Sequence, residues 1–302
     1  MKKFIVTTTI NAPTEALKKF MAMKDWTVVI VGDKKTPHDA YSSLPLNCIY
    51  LTPDQQQALY PKLSTILGWN NIQRRNIGFV YAYNLGADVI ATVDDDNIPL
   101  DNWGKSLMIG TTPSVGVIES TNEVFDPLSN TLYDHLWHRG YPVQLLSTKN
   151  SVVISYYQRE IVDIQADLWN GDPDVDAICR ITYSPDVKFN YIVPFTSKTI
   201  APFNSQNTFL SRRCFPDYMV LPFIGRMDDI WGAYLLQQKT GFRPVFNEPT
   251  VFQARNPHDL VKDMEAELLG YRYSLEFAQG NYKHIPDLKT WEAYDIYRSY
   301  FK

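Results

Sequence analysis

The sequence is short of several things, and each shortage excludes a class of protein. Its three cysteines, Cys48, Cys179 and Cys214, stand far apart and in no CxxC pair. They build neither a disulfide framework nor a zinc knuckle, and a reducing compartment suits them. Neither GxxxxGK[ST] nor GxGxxG occurs, so no P-loop and no dinucleotide-binding turn is offered, and any phosphate must be met by side chains or by a metal. No window approaches the roughly 18 uninterrupted apolar residues of a membrane span. The opening "MKKFIVTTTI" is too short in apolar residues for the core of a signal peptide. Runs of Lys or Arg are missing and the formal net charge is −4, which argues against nucleic acid or an anionic membrane as partner. A soluble, cytoplasmic protein is expected.

What is present is a core. With 45% hydrophobic and 14% aromatic residues the chain reads as globular rather than disordered. The first 120 residues alternate strand and helix signals: "KFIVTTTI", the helix "PTEALKKFMAM", "WTVVIVGD", "CIYL", a helix within residues 70–85, "ADVIATV" and "SVGVIES". That alternation predicts an α/β fold with a mixed, mostly parallel central sheet flanked by helices. From about Thr121 to Pro202 the periodicity weakens and an irregular loop region is expected. Regularity returns with "NTFLSR", the helix "DDIWGAYLLQQ" stopped by Gly241, and the strand "RPVFN". The tail from Asp259 reads as helical and as packing back on the body.

The stretch "GADVIATVDDDNIP" carries the chemistry. An apolar strand delivers Asp94, Asp95 and Asp96 to the rim where open α/β sheets bind ligands, beyond the carboxyl ends of their strands. Three adjacent carboxylates repel one another unless a cation sits among them, and Asp94 and Asp96, one residue apart, can both reach one hard divalent ion. The calcium-loop spacing fails, since Ile98 and Pro99 occupy the region where its glycine is needed. A metal held by so few protein groups completes its shell with phosphates, which points to a nucleotide or nucleotide-sugar. Arg74 and Arg75, on the helix just before the strand, are candidate charge partners for a diphosphate. The bland alternatives are a solvated acidic turn and arginines paired with surface carboxylates.

In these residues the chain resembles the GT-A glycosyltransferases. "RRNIGFVYAYNLGADVIATVDDDN" looks like their DxD region, and "WTVVIVGDKKTP" resembles the second strand of the STELLO-type glycosyltransferase domain. "HRGYPVQLL" and "GRMDDIWGAYLLQ" resemble the reversibly glycosylated polypeptides, which act as UDP-arabinopyranose mutases. The resemblance implies a Rossmann-like GT-A domain over residues 1–258, with a donor-binding half (1–120), an acceptor half (121–258) and a helical extension (259–302). It implies that Thr8, Thr9, Asn11 and Asp33 line the nucleoside pocket. Asp94, Asp96 and His258 would bind Mn²⁺ or Mg²⁺, while Asp95 and Asn207, the latter in "FNSQNTFLSR", belong to the donor-binding set. Asp228 and Asp229 open a helix whose dipole stabilises carboxylates. Capping explains one of them, and Asp229 is the expected general base.

The implied activity is transfer of a sugar from a nucleoside diphosphate, UDP before GDP, to an acceptor hydroxyl of a glycan or other molecule. Arg139 matches the arginine that becomes glycosylated in the mutase family, so mutase or self-glycosylating activity is the runner-up. Two departures weigh against it: that family has Cys where this chain has Asn97, and a second arginine where this chain has Leu146. A non-catalytic sugar-nucleotide-binding scaffold is a further alternative.

Overall fold

The structure is a computed structural model that describes residues 1–254, 259–285 and 287–301, with the side chains of residues 152–154 excepted. The strands are β1 (Lys3–Thr9), β2 (Thr27–Gly32), β3 (Cys48–Leu51), β4 (Val89–Val93), β5 (Asn97–Pro99), β6 (Ser114–Ser120), β7 (Val152–Arg159), β8 (Ile164–Gly171), β9 (Phe195–Ser197), β10 (Asn207–Ser211) and β11 (Pro244–Gln253). The helices are α1 (Glu15–Met21), α2 (Pro53–Leu59), α3 (Pro61–Leu67), α4 (Arg75–Asn84), α5 (Ala177–Tyr183), α6 (Asp228–Thr240), α7 (Leu260–Ala278) and α8 (Lys289–Arg298).

All eleven strands belong to one sheet, in the order β3-β2-β1-β4-β10-β8-β11-β9-β6-β7, with β5 paired to β11. The first four run parallel. β10 is antiparallel to both neighbours, after which β8 and β11 are parallel again. The α/β architecture expected from the sequence, a mixed sheet flanked by helices in a single body, is the one the chain adopts.

Residue chemistry explains the elements that aim the site. β4 is buried along its whole length, so its continuous apolar run fits a strand covered on both faces. The helix expected within residues 70–85 begins at Arg75, after a short 3₁₀ turn at Ile72–Arg74. It lies directly on the sheet because Gly78 has no side chain there: a Cβ would stand 2.5 Å from a Val6 methyl and 2.8 Å from one of Val31. Gly86, at φ +84°, ends the turn before β4.

One sequence expectation fails here. Residues 121–202 hold two eight-residue strands, β7 and β8, besides α5 and β9. β8 is buried on both faces yet carries Gln165 and Asp167, which interrupt the apolar pattern. Both polar groups are satisfied internally. Gln165 Oε1 accepts from Met108 N at 2.7 Å, and Asp167 accepts from Gln165 Nε2 at 2.8 Å and Thr250 Oγ1 at 2.9 Å. The tail does pack back, α7 on α6 and α5, and α8 on α3. The three cysteines are free.

Candidate active site

β4 and β10 meet where the site begins, since Asn207 pairs with Val93 and Asp94 N donates to Gln206 O at 3.4 Å. The three aspartates leave this strand end in different directions. Asp94 Oδ1 is bonded by Arg75, which is itself 1% exposed and donates through Nη1 to Ser205 O and Oγ, both at 2.7 Å. Burial pushes the Asp94 pKa up, against the lowering effect of Arg75. Asp95 turns back to the loop after β1, where its Oδ2 accepts from Thr9 Oγ1 and from Asn11 Nδ2 at 3.1 Å. Asp96 joins Asp94 in the walls of two cavities.

The first cavity, of about 260 Å³, is lined by Thr8, Thr9, Asn11, Asn71, Arg75 and the three aspartates. The second, of about 270 Å³, is lined by Asp94, Asp96, Arg139, Gln206, Asp228, Asp229 and Gln253 among others. Ile72, Asp94 and Asp96 are common to both linings. The acidic strand end is therefore a shared wall, with the loop after β1 on one side and the start of α6 on the other.

On the α6 side two adjacent carboxylates have different surroundings. Asp229 is held on every side: Oδ1 accepts from Arg139 Nη2 at 3.1 Å, and Oδ2 from Ser205 N at 2.9 Å and Ser205 Oγ at 3.1 Å. Arg139 also grips Asp174 with two bonds, Nε to Oδ1 at 2.8 Å and Nη2 to Oδ2 at 3.0 Å, and its Nη1 donates to Arg226 O. Among the described residues Asp228 accepts from Gln73 Nε2, at 2.7 Å, and from Asp229 N, at 2.9 Å. Burial, then the Asp229 charge beside it, raises the Asp228 carboxyl from its ordinary 3.8 to about 7.

Several sequence expectations need correcting. Arg74 does not face the aspartates; it is fully buried, donates to Gln56, Ser64 and Gly68, and stacks on Trp69 at 3.8 Å. Asn207 is locked inside the sheet, donating to Asp167 O, Leu168 O and Thr250 Oγ1 and accepting from Trp103 Nε1 at 3.0 Å. Its neighbour Gln206 is the residue of that segment that reaches the cavity. Asp33 stands behind the cavity wall, accepting from Lys34 N at 2.7 Å and Asn71 N at 3.2 Å. Asp229, the expected base, accepts from Arg139 and Ser205, and Asp228 has fewer hydrogen-bond partners among the described residues. His258 lies outside the described residues. Sequence reasoning also missed Gln253, Gln73 and Asp174; the last sits in "WNGDPDVDA", which reads as a turn.

Among the described residues no group of three His, Cys, Asp or Glu is arranged to hold a metal ion. Asp94 and Asp96 line the same two cavities, and carboxylate oxygen is the donor type that hard divalent cations take. No helix among the described residues is long and apolar enough to cross a membrane.

The chain is similar in sequence to two curated plant proteins. The relatives are Probable glycosyltransferase STELLO2 of Arabidopsis thaliana, 27% identical over 277 residues, and Probable glycosyltransferase STELLO1 of the same plant, 26% identical over 272. These matches cover 83% and 81% of this chain but 35% and 34% of the relatives, so the chain spans about a third of the length of the proteins it matches. They bear out the resemblance to the STELLO-type glycosyltransferases; the likeness to the mutase family gains no support from them. No family model matches. Among solved structures, glucosyl-3-phosphoglycerate synthase from Mycobacterium tuberculosis with Mn²⁺, UDP-glucose and phosphoglyceric acid is 13% identical, with a TM-score of 0.47, over 95% of this chain and 81% of that one. The same enzyme with phosphoglyceric acid alone gives 11% and 0.44. Likeness at that level carries over neither residues nor ligands.

Proposed function

We propose that the chain transfers a sugar from a nucleoside-diphosphate sugar, with UDP as the preferred nucleotide, to an acceptor hydroxyl. The observation that carries this is the shared wall: Asp94 and Asp96 stand between a cavity lined by Thr8, Thr9, Asn11 and Arg75 and one that holds the buried carboxylates of α6. Donor in the first and acceptor in the second would bring the anomeric carbon and the attacking oxygen together at the aspartates. Similarity to the STELLO proteins supports the same reading.

Asp94 and Asp96 would hold Mn²⁺ or Mg²⁺, with His258 a further candidate ligand. The ion, when bound, neutralises charge on the departing diphosphate. Arg75 adds a fixed positive charge on that side. Asp228, with a pKa of about 7, accepts the acceptor's proton as its oxygen bonds to the anomeric carbon and the bond to the diphosphate breaks. Such a base makes direct, inverting displacement the preferred course. Arg139 positions Asp229 and Asp174. With all three of its nitrogens bonded, it is poorly placed to carry a sugar, which weighs against the mutase alternative. On this reading residues 1–258 form the catalytic domain and 259–302 its helical extension.

The test is donor hydrolysis across UDP- and GDP-sugars, with Mn²⁺ and after chelation, in the native chain and in Asp94→Ala and Asp96→Ala. Release of one nucleoside diphosphate that needs metal and disappears in both variants is expected. If no donor is bound or cleaved under any metal, the reading fails.

A further inference from the structure

A third cavity, of about 750 Å³, opens at the opposite end of the sheet from the aspartates. Its lining includes Arg159, Arg213, Arg243 and Lys198 against the carboxylates Glu160 and Asp163. Asp163 immediately precedes β8 and Arg243 immediately precedes β11, while Arg213 follows β10; these are the ends that pair at Ile164, Pro244 and Leu210. None of these residues touches the candidate active site.

Three guanidiniums here are anchored at one edge and open at another. Arg159 Nε donates to Thr112 O at 3.2 Å, and its two terminal nitrogens have no protein partner among the described residues. Arg213 Nη1 donates to Asp163 at 3.0 Å while the guanidinium stacks on Phe242 at 4.5 Å, leaving Nε and Nη2 without a hydrogen-bond partner among the described residues. Arg243 donates to the carbonyls of Lys198, Gln237 and Phe242 through Nε and Nη1, leaving Nη2 open. Among the described residues no carboxylate pairs with Arg159 or Arg243, whereas Lys198 is paired with Glu119 at 2.9 Å. Fixed guanidiniums with unused donors are how proteins hold phosphate oxygens, since the planar fork loses little freedom on binding. The volume lies within the range of small-molecule sites. A net charge of −4 over the whole chain conceals this local excess of cations.

We propose that this cavity binds a small, multiply phosphorylated molecule. Phosphate suits it better than a single carboxylate because its oxygens can accept from several guanidiniums at once. The site is independent of the glycosyl-transfer reading.

The experiment is calorimetric titration with inorganic tripolyphosphate at near-physiological salt and without divalent metal, so that the aspartate site contributes nothing through a cation. The native chain and the Asp94→Asn, Asp96→Asn variant are expected to bind one equivalent equally well. Arg159→Gln combined with Arg213→Gln, both exposed positions, is expected to weaken binding by about tenfold or more. Arg243→Lys serves as a second variant, and thermal melting reports whether each variant is folded. Failure of the native chain to bind, a loss under about fivefold in the folded arginine variants, or a loss caused by the aspartate substitutions would overturn the proposal.

Discussion

Asp228 and Asp229 are adjacent on one turn of α6, and their partners give them opposite work. Asp229 has its lone pairs taken by Arg139 and Ser205, so its charge is structural. Asp228 keeps capacity and a pKa of about 7. Asp228→Asn is therefore expected to lower turnover by about 10²- to 10⁴-fold with donor binding retained. On the proposed reading of Asp228 as base, the native kcat/KM should fall as pH drops below about 7, because the raised pKa leaves Asp228 protonated there. Asp229→Asn instead removes one of Arg139's two carboxylate partners, leaving Asp174, and should show first as a loss of about 1–3 kcal/mol in stability. A pH-rate profile beside denaturant melts of the two variants separates these roles; equal loss of turnover at unchanged stability in both would contradict the assignment.

At the scale of elements, α7 presses on the turn that leads into α6. Gly225, at φ +64°, lies where a Cβ would be 2.4 Å from Ala266 O, and a Cβ on Gly270 would be 2.4 Å from Met227 Sδ. Arg226 is tied to the same helix through Glu267 at 2.9 Å and Asp263 at 3.3 Å. Gly270→Ala must displace Met227, next to Asp228. It should cost about 1–3 kcal/mol of stability and lower kcat more than donor affinity, which melting curves and steady-state kinetics would check.

Elements whose residues speak in one period were legible in the sequence. "CIYL" and "SVGVIES" are the observed β3 and β6, residue for residue, and Gly241 ends α6 as expected. The acidic cluster was legible because carboxylates after an apolar strand conflict with burial. β8 was not, since Gln165 and Asp167 are paid for by partners distant in sequence. For the same reason the different fates of Arg74 and Arg75 could not be read: the first finds Gln56 and Ser64, the second Asp94 and Ser205.

Across the whole molecule, buried carboxyls set how stability responds to pH. Burial raises Asp167 and Asp176 from 3.8 to about 7 each, despite the hydrogen bonds they accept. The folded chain then holds protons that the unfolded chain has released, so these groups stabilise most at low pH. Their contribution is lost as pH rises through about 4 to 7. Melting temperature is expected to fall between about pH 4 and pH 7 on their account, and Asp167→Asn should flatten that slope. An unchanged slope would mean that Asp167 titrates alike in both states.

The order of the strands has a consequence for how the chain is made. β1 to β4 find their partners among one another, so the amino-terminal half of the sheet can assemble while synthesis continues. β8 cannot, because its neighbours are β10 and β11, and the last of their residues is Gln253. Until Ser211 is made this buried strand has neither neighbour, and until Gln253 it has only one, on a ribosome-bound chain that grows at about 5–20 residues per second. An unpaired strand edge is a template for pairing with another chain, so that interval, before the sheet closes around β8, is where a chaperone would have something to hold.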